Sequence, residues 1–308
     1  MRRFSPAFMP WLVLAATLLL WSGNWIVARA VRNDIAPGLA TAGRLVVVLL
    51  ILLPFTFRGL KSKLARLQGK NVLFAIGIFG GGLHLAFQWL GLHYTTATSA
   101  TLYLSTAPIF ILLLSRPLLS ERIAPRQWAG VAVSFCGVAL IGTQGRIFSG
   151  LALVTFNVGD ALALLSMAFW GAYTVLLRMR RDAFDTPEFL TALCAMGLVT
   201  LLPWVAYEFV QGPRTSLSLN GAIAVLYSAV GSLLIAGAGW TYVVKRLGAA
   251  RAGVTMHLMP GIAAVLSMLF LGEYPSWYHG AGIALILAGV GLSSWRRLRD
   301  AMHPREVQ

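Results

Sequence analysis

The third apolar run of the sequence carries polar and small residues at the spacing of one helix face. Gly77, Gly81, His84, Gln88 and Gly91 follow one another at intervals of three or four residues. Residues at these intervals share a face of an α-helix, so His84 and Gln88 point the same way. An imidazole and a carboxamide can hydrogen-bond a small polar solute. The stripe fits a binding site, and equally a glycine-lined helix seam in which His84 bonds a neighbouring carbonyl.

Aromatic and polar residues in other apolar runs are further candidates for such a site. Trp21 and Asn24 have counterparts in Trp170 and Tyr173, 149 residues later. Aromatic rings beside uncharged hydrogen-bonding groups suit a small organic solute, although each ring alone also fits the core or an interfacial belt. The candidate substrate-binding residues are Trp21, Asn24, His84, Gln88, Tyr103, Trp170, Tyr173, Trp240 and His257.

Arg44 differs in kind, because it is a basic residue inside an apolar run. A charged side chain in hydrocarbon is costly unless it reaches the membrane surface or finds a partner. Two roles remain open for it. It can bind carbonyl groups at a helix end, or it can attract an anionic group such as a substrate carboxylate.

The sequence lacks the residues that several kinds of chemistry require. All ten acidic residues lie in loops or within a turn of a predicted span end, which argues against a proton relay on a buried carboxylate. The chain has no G-x-x-x-x-G-K-[ST] loop and no H-E-x-x-H motif, so neither direct ATP hydrolysis nor metalloprotease activity is indicated. Cys136 and Cys194 are not at metal-ligand spacing. We expect no enzyme, no cofactor and no metal.

The elements that must position the candidate residues are apolar helices. The 308-residue chain is 58% apolar and only 11% charged, whereas soluble proteins have about 25% charged residues. Its apolar runs have the roughly 17–25 residues that a helix needs to cross a bilayer. We therefore predict an all-α, polytopic membrane protein. The ten predicted transmembrane helices span residues 10–30, 37–57, 71–92, 98–114, 127–143, 157–177, 186–207, 220–243, 253–271 and 278–295.

The basic residues predict the orientation of these helices. With a cytoplasmic N-terminus, 20 of the 25 Lys and Arg residues fall in cytoplasmic segments, 4 fall outside and Arg44 lies within a span. Cytoplasmic loops carry such an excess, so we expect both termini in the cytoplasm. The net charge of +15 then reflects topology, and no nucleic-acid partner is expected.

A proline and a glutamate recur at one offset in the two halves of the chain. Pro108 and Pro260 are 152 residues apart, as are Glu121 and Glu273. Since five helices per half is an odd number, the second half must enter the membrane with the opposite orientation. Basic residues surround Glu121 and are missing near Glu273, in agreement with this inversion. We predict two inverted five-helix repeats, residues 1–146 and 147–308.

These recurring residues suggest structural roles. Each proline kinks its helix, either as part of ordinary packing or to shape the wall of a central pathway. Glu121 and Glu273 each precede the next helix by a few residues, so we expect each carboxylate to cap that helix.

Longer stretches resemble the drug/metabolite transporter superfamily, and more narrowly its EamA-type ten-helix exporters and their YddG-like branch. They include "LLLWSGNWIVARAV", "ATAGRLVVVLL", "GDALALLSMAFWGAYTVLLR" and "LGAARAGVTMHLMPGIAAVLSMLFLGE". The resemblance implies a bacterial inner-membrane carrier of amino acids, including aromatic ones, or of related small metabolites. It also implies a central cavity lined by helices one, three, four, six, eight and nine, with Tyr103 and Trp170 as the best cavity candidates and His84 as the next.

Our leading hypothesis is a secondary carrier that exports amino acids by alternating access at the interface of its two halves. An exporter of drugs or cations is the alternative within transport, although an embedded acid would be expected for it. A channel or an intramembrane enzyme is the alternative from another class. The expected partners are a small-molecule substrate and the lipid bilayer, and no oligomer is required.

Overall fold

The computed structural model describes residues 8–66, 70–120, 124–146, 157–179, 184–211, 218–247 and 255–302. Over these residues the chain forms ten helices and no β-strand. The helices are α1 (Met9–Ala30), α2 (Pro37–Arg66), α3 (Lys70–Tyr94), α4 (Ala97–Leu119), α5 (Pro125–Gly142), α6 (Val158–Met179), α7 (Thr186–Gln211), α8 (Leu219–Leu226, Tyr227–Ile235 and Ala236–Leu247), α9 (Met256–Leu258 and Met259–Leu271) and α10 (Trp277–Met302).

Each predicted span coincides with one of these helices, which confirms the all-α, polytopic class. Seven of them, α1 to α4 and α6 to α8, are long and apolar enough to cross a membrane. The apolar parts of α9 and α10 are shorter than those of the seven helices, and α5, which has 18 residues, is not among the seven. The membrane spans predicted for α5, α9 and α10 therefore stay predictions. Both α2 and α10 continue past the ends of their predicted spans. The predicted spans stop where the apolar residues stop, whereas each helix continues into the charged residues that follow.

Two pairs of helices change their winding at equivalent places. The middle of α3 is a π-helix over Gly77–Leu83, and the middle of α8 is one over Tyr227–Ile235, and the two segments end 152 residues apart. In α4 and α9 a 3₁₀ turn, Leu104–Thr106 or Met256–Leu258, precedes the apolar helix at the same offset. π-Helical segments of this kind occur frequently at functional sites.

Pro108 and Pro260 lie in the first turn of the helical segments that follow these 3₁₀ turns. Proline suits this position, since its missing N–H would have no partner there in any case. Each segment then ends in the left-handed conformation, at Ser120 with φ 55° and at Gly272 with φ 66°. The two prolines therefore begin a new segment after the change of winding.

The contact between α5 and α10 has the form expected of inverted repeats. Gly137 faces the Gly282 carbonyl, and Gly289 faces the Gly130 carbonyl, so the two helices run antiparallel. Between these pairs the Ser134 hydroxyl donates to the Ile286 carbonyl at 3.2 Å. Ser134 and Ile286 are themselves 152 residues apart, which places a local twofold axis between them. The repeat boundary at residues 146 and 147 stays a prediction.

Glycines also let α3 and α7 come into backbone contact. A Cβ atom at Gly197 would lie 2.9 Å from the Gly81 Cα atom, closer than carbon atoms approach. We expect Gly197→Ala to lower the free energy of unfolding by about 1–3 kcal/mol through overpacking. Gly261→Ala is the control, because a Cβ atom there meets nothing within 4 Å. Melting temperatures in detergent test this, and equal values for the two variants would contradict it.

Candidate substrate site

A cavity of about 190 Å³ lies among eight of the helices. A water molecule takes about 30 Å³ of the liquid, so the cavity has room for a small organic molecule. Its wall includes residues of α1 to α4 and α6 to α9, and none of its described lining residues comes from α5 or α10. The predicted substrate-binding residues that line it are Trp21, Asn24, His84, Gln88, Trp170 and Tyr173.

On the α3 and α6 side of the cavity, three rings pack against one another at tilted angles of 48° and 40°. The centroids of the His84 and Trp170 rings are 4.9 Å apart, and those of Trp170 and Tyr173 are 5.1 Å apart. Gly80, in the π-helical segment, lies directly against the Tyr173 ring, where no side chain would fit. The small residues of α3 thus allow the aromatic residues of α6 to approach it.

His84 is held in place by Ser166 of α6. Its Nδ1 atom lies 3.0 Å from the Ser166 carbonyl oxygen, which can only accept a hydrogen bond, so Nδ1 is the donor. The Ser166 hydroxyl donates to the His84 carbonyl at 2.9 Å. The carbonyl bond expected of a helix seam is therefore present, and His84 also lines the cavity.

Uncharged polar groups of α1 and α3 form another part of the wall. Asn24 Nδ2 donates to Gln88 Oε1 across 3.5 Å, at the limit of a hydrogen bond. Asn24 Oδ1 is buried and has no partner. Trp21 Nε1 donates to the Ser232 carbonyl in the π-helical part of α8, at 3.1 Å. Since buried polar atoms are usually paired, Asn24 Oδ1 is an acceptor whose hydrogen-bonding capacity is unused.

Arg44 of α2 is 1% exposed and also lines the cavity. Its Nη2 atom donates to the Leu85 carbonyl at 3.0 Å, and its guanidinium carbon lies 5.2 Å from the centre of the Trp89 ring. Its Nε atom is buried without a partner. Arg44 therefore bonds a carbonyl inside α3 and not one at a helix end, and this bond engages one of its five N–H donors.

The structure places three predicted residues elsewhere. Tyr103 is fully buried in the apolar core and is not among the lining residues, whereas its neighbour Leu104 lines the cavity. Trp240 packs behind the wall, with its ring centroid 5.3 Å from that of Trp21. The side chain of His257 lies outside what the structure describes.

The hydroxyl of Tyr103 lies beside the Asp160 carboxylate without meeting hydrogen-bond geometry. Asp160 is in the first turn of α6, near a span end as predicted, but it is only 4% exposed. Its Oδ1 atom accepts from the Thr95 hydroxyl at 2.6 Å. The expectation that no acidic residue is buried is therefore wrong for Asp160 and for Glu188, which is 6% exposed, although neither group lines the cavity.

Glu273 caps a helix, but not the one that follows it. Its Oε2 atom accepts from the Ala97 N–H at 2.9 Å and from the Ser267 hydroxyl at 2.9 Å, so it caps α4 of the other half. Its Oε1 atom pairs with Arg29 Nε at 3.3 Å. The expected cap on α10 is therefore wrong. Glu121 lies outside the described residues.

Several residues that line the cavity were not predicted from the sequence, although the repeat relates them to one another. At the 152-residue offset, Gly80, Leu85 and Leu104 correspond to Ser232, Gly237 and Met256. All six residues line the cavity. The 149-residue offset relates α1 to α6 along their whole lengths, since Met9–Ala30 corresponds to Val158–Met179. Both repeats thus contribute equivalent positions to one cavity. Helices α2 and α7, absent from the expected lining, contribute to it as well.

Apolar membrane-spanning helices around one shared polar and aromatic cavity define a transport protein for small molecules. The chain belongs to the EamA-like transporter family, which matches it over residues 9–143 and 157–295. This confirms the resemblance to the drug/metabolite transporter superfamily. It also agrees with the prediction of a transporter and not an enzyme.

Individual relatives support the same class. An "Uncharacterized transporter" of Archaeoglobus fulgidus is 28% identical over 285 residues, which are 92% of this chain and 96% of the relative. A "Probable terminal-alkyne amino-acid exporter" of Streptantibioticus cattleyicolor is 31% identical over 223 residues, 70% of this chain and 71% of the relative. A crystal structure of a 25% identical protein matches with a TM-score of 0.56, covering 93% of this chain and 97% of the other.

Proposed function

We propose that the protein is an inner-membrane secondary carrier that exports amino acids, including aromatic ones, or related small metabolites. The observation that carries the proposal is the cavity to which both halves contribute equivalent positions. A site shared by inverted repeats opens to each side in turn when the halves rock against one another. Both termini lie in the cytoplasm, and Glu273 lies on the external face.

The wall of the cavity favours amino acids over cationic drugs. Its described residues include aromatic rings, Asn24, Gln88 and the Arg44 cation, and no carboxylate. A cationic drug would meet Arg44 without an acid to compensate, and like charges at close range are unfavourable. The related protein named as an amino-acid exporter supports the same substrate class.

Counterflow of radiolabelled amino acids in proteoliposomes tests the proposal. We expect exchange without a pH gradient and at most a modest stimulation by one, because no carboxylate among the described residues lines the cavity. Strict dependence on the gradient would contradict facilitated transport, and no counterflow of any standard amino acid would contradict the proposed substrate class. Currents through single molecules would indicate a channel.

Trp170→Ala should raise the half-saturation concentration of a carried aromatic amino acid about tenfold, since it removes the central ring, which contacts both His84 and Tyr173. Trp170→Phe should retain most of the affinity. Trp128→Ala in α5 is the matched control, because Trp128 is 45% exposed and does not line the cavity. The same counterflow measurement checks all three variants. An equal change for Trp170→Ala and Trp128→Ala would exclude a binding role for Trp170.

A further inference from the structure

Arg44 is a buried cation whose charge has no counter-ion among the described residues. Arg29 pairs with Glu273 and Lys63 pairs with Glu188, and neither ion pair involves Arg44. Its contacts are a carbonyl oxygen and an aromatic face, which are both neutral. A cation within a membrane-spanning helix is unfavourable unless something offsets its lost hydration. An anion in the cavity would provide the missing charge.

The fold itself does not require an arginine at this place. The 149-residue offset that relates α1 to α6 also relates the starts of α2 and α7, Pro37 and Thr186. It assigns Leu193 as the counterpart of Arg44, and Leu193 lines the same cavity. The second repeat therefore has an apolar side chain, Leu193, at the position that Arg44 occupies in the first repeat. The cation is a departure from the symmetry of the fold, which points to the substrate and not to packing.

Asn24 supplies a complementary group in the same cavity. Its Oδ1 atom is a buried acceptor without a partner, on a residue that is 4% exposed. Arg44 Nε is a buried donor without a partner. An α-amino acid carries a carboxylate that accepts hydrogen bonds and an ammonium group that donates them, so it would satisfy both atoms. An amine would satisfy only the acceptor, and a carboxylic acid only the donor.

We propose that Arg44 binds the carboxylate of the substrate and that Asn24 Oδ1 accepts a hydrogen bond from its ammonium group. The substrate class is then the free α-amino acid, with its side chain against the Trp170 and Tyr173 rings. Esters, amides and amines are poor substrates, because they offer Arg44 no anion. This inference rests on the proposed function and narrows it, since it excludes related metabolites that lack a carboxylate.

Ligand variation on the unaltered protein tests the inference without any risk of misfolding. The probes are L-phenylalanine, 2-phenylethylamine, which lacks the carboxylate, and 3-phenylpropionate, which lacks the ammonium group. Affinity is measured by calorimetry or thermal shift in detergent. We expect each analogue to bind at least roughly tenfold more weakly than L-phenylalanine, as the loss of a charged hydrogen-bonding group predicts. Equal affinity for 2-phenylethylamine and L-phenylalanine would overturn the role of Arg44.

Variants of Arg44 supply the second arm of the test. Arg44→Gln should weaken L-phenylalanine binding at least roughly tenfold and should not weaken 2-phenylethylamine binding, because Arg44 only repels that ammonium group, so the preference for L-phenylalanine disappears. Arg44→Lys should keep part of the preference for the carboxylate. Arg58→Gln is the control, since Arg58 is exposed on the same helix and does not line the cavity. An unaltered preference in Arg44→Gln overturns the inference and leaves the proposed function standing, whereas failure of every standard amino acid to bind or exchange overturns both.

Discussion

Glu273→Ala should lower the free energy of unfolding by about 2–4 kcal/mol, the largest loss of stability that we expect from a single polar side chain. The Glu273 carboxylate accepts hydrogen bonds from two backbone N–H groups of α4 and from the Ser267 hydroxyl, and it pairs with Arg29. Its side chain is 17% exposed, so water replaces these bonds only in part. Removal of the carboxylate leaves Arg29 and the start of α4 without their partner.

The isosteric variant Glu273→Gln separates the cap from the ion pair. Its amide oxygen can still accept from the Ala97 N–H or from Ser267, but it carries no charge for Arg29. We expect it to lose about half as much stability as Glu273→Ala, by the difference between neutral and charged hydrogen bonds. Thermal unfolding in detergent measures both variants. Wild-type stability of Glu273→Ala would mean that these contacts contribute nothing.

The sequence predicts the helices of this protein well because their signals are local. Each apolar run of about 20 residues becomes a helix, and Gly81, His84 and Gln88 of the predicted stripe do face one cavity, since helical spacing decides which residues share a face. The recurrence of Pro108 and Pro260 likewise predicts equivalent segments, because related sequences form related backbones. Both prolines begin helical segments after a 3₁₀ turn.

Features that depend on contacts between the two halves were not predictable in the same way. The helix capped by Glu273 lies 176 residues earlier in the chain, and only the assembled fold brings it there. Tyr103 has the chemistry of a binding residue, but its rotational position on α4 directs it into the core. Asp160 lies at a helix end, where exposure is the ordinary expectation, yet neighbouring residues cover it.

The position of Arg29 and Glu273 has a direct consequence for transport. Arg29 lies in the last turn of α1 in the first half, and Glu273 follows α9 in the second, so their ion pair and the cap on α4 join the halves at one face. Alternating access requires each face to open in turn. If the pair marks the closed external face, its contacts must break once in every transport cycle.

A reversible tether between positions 29 and 273 should therefore stop transport. The test places cysteines at both positions in a Cys136→Ser, Cys194→Ser background and links them with a bifunctional methanethiosulfonate. We expect counterflow to fall below roughly a tenth of its value before linking and to recover on reduction, because a closed face cannot release substrate. Each single-cysteine variant, treated identically, controls for modification alone. Undiminished counterflow with the cross-link confirmed by mass spectrometry would mean that transport does not require positions 29 and 273 to separate, and would exclude the ion pair as part of the external gate.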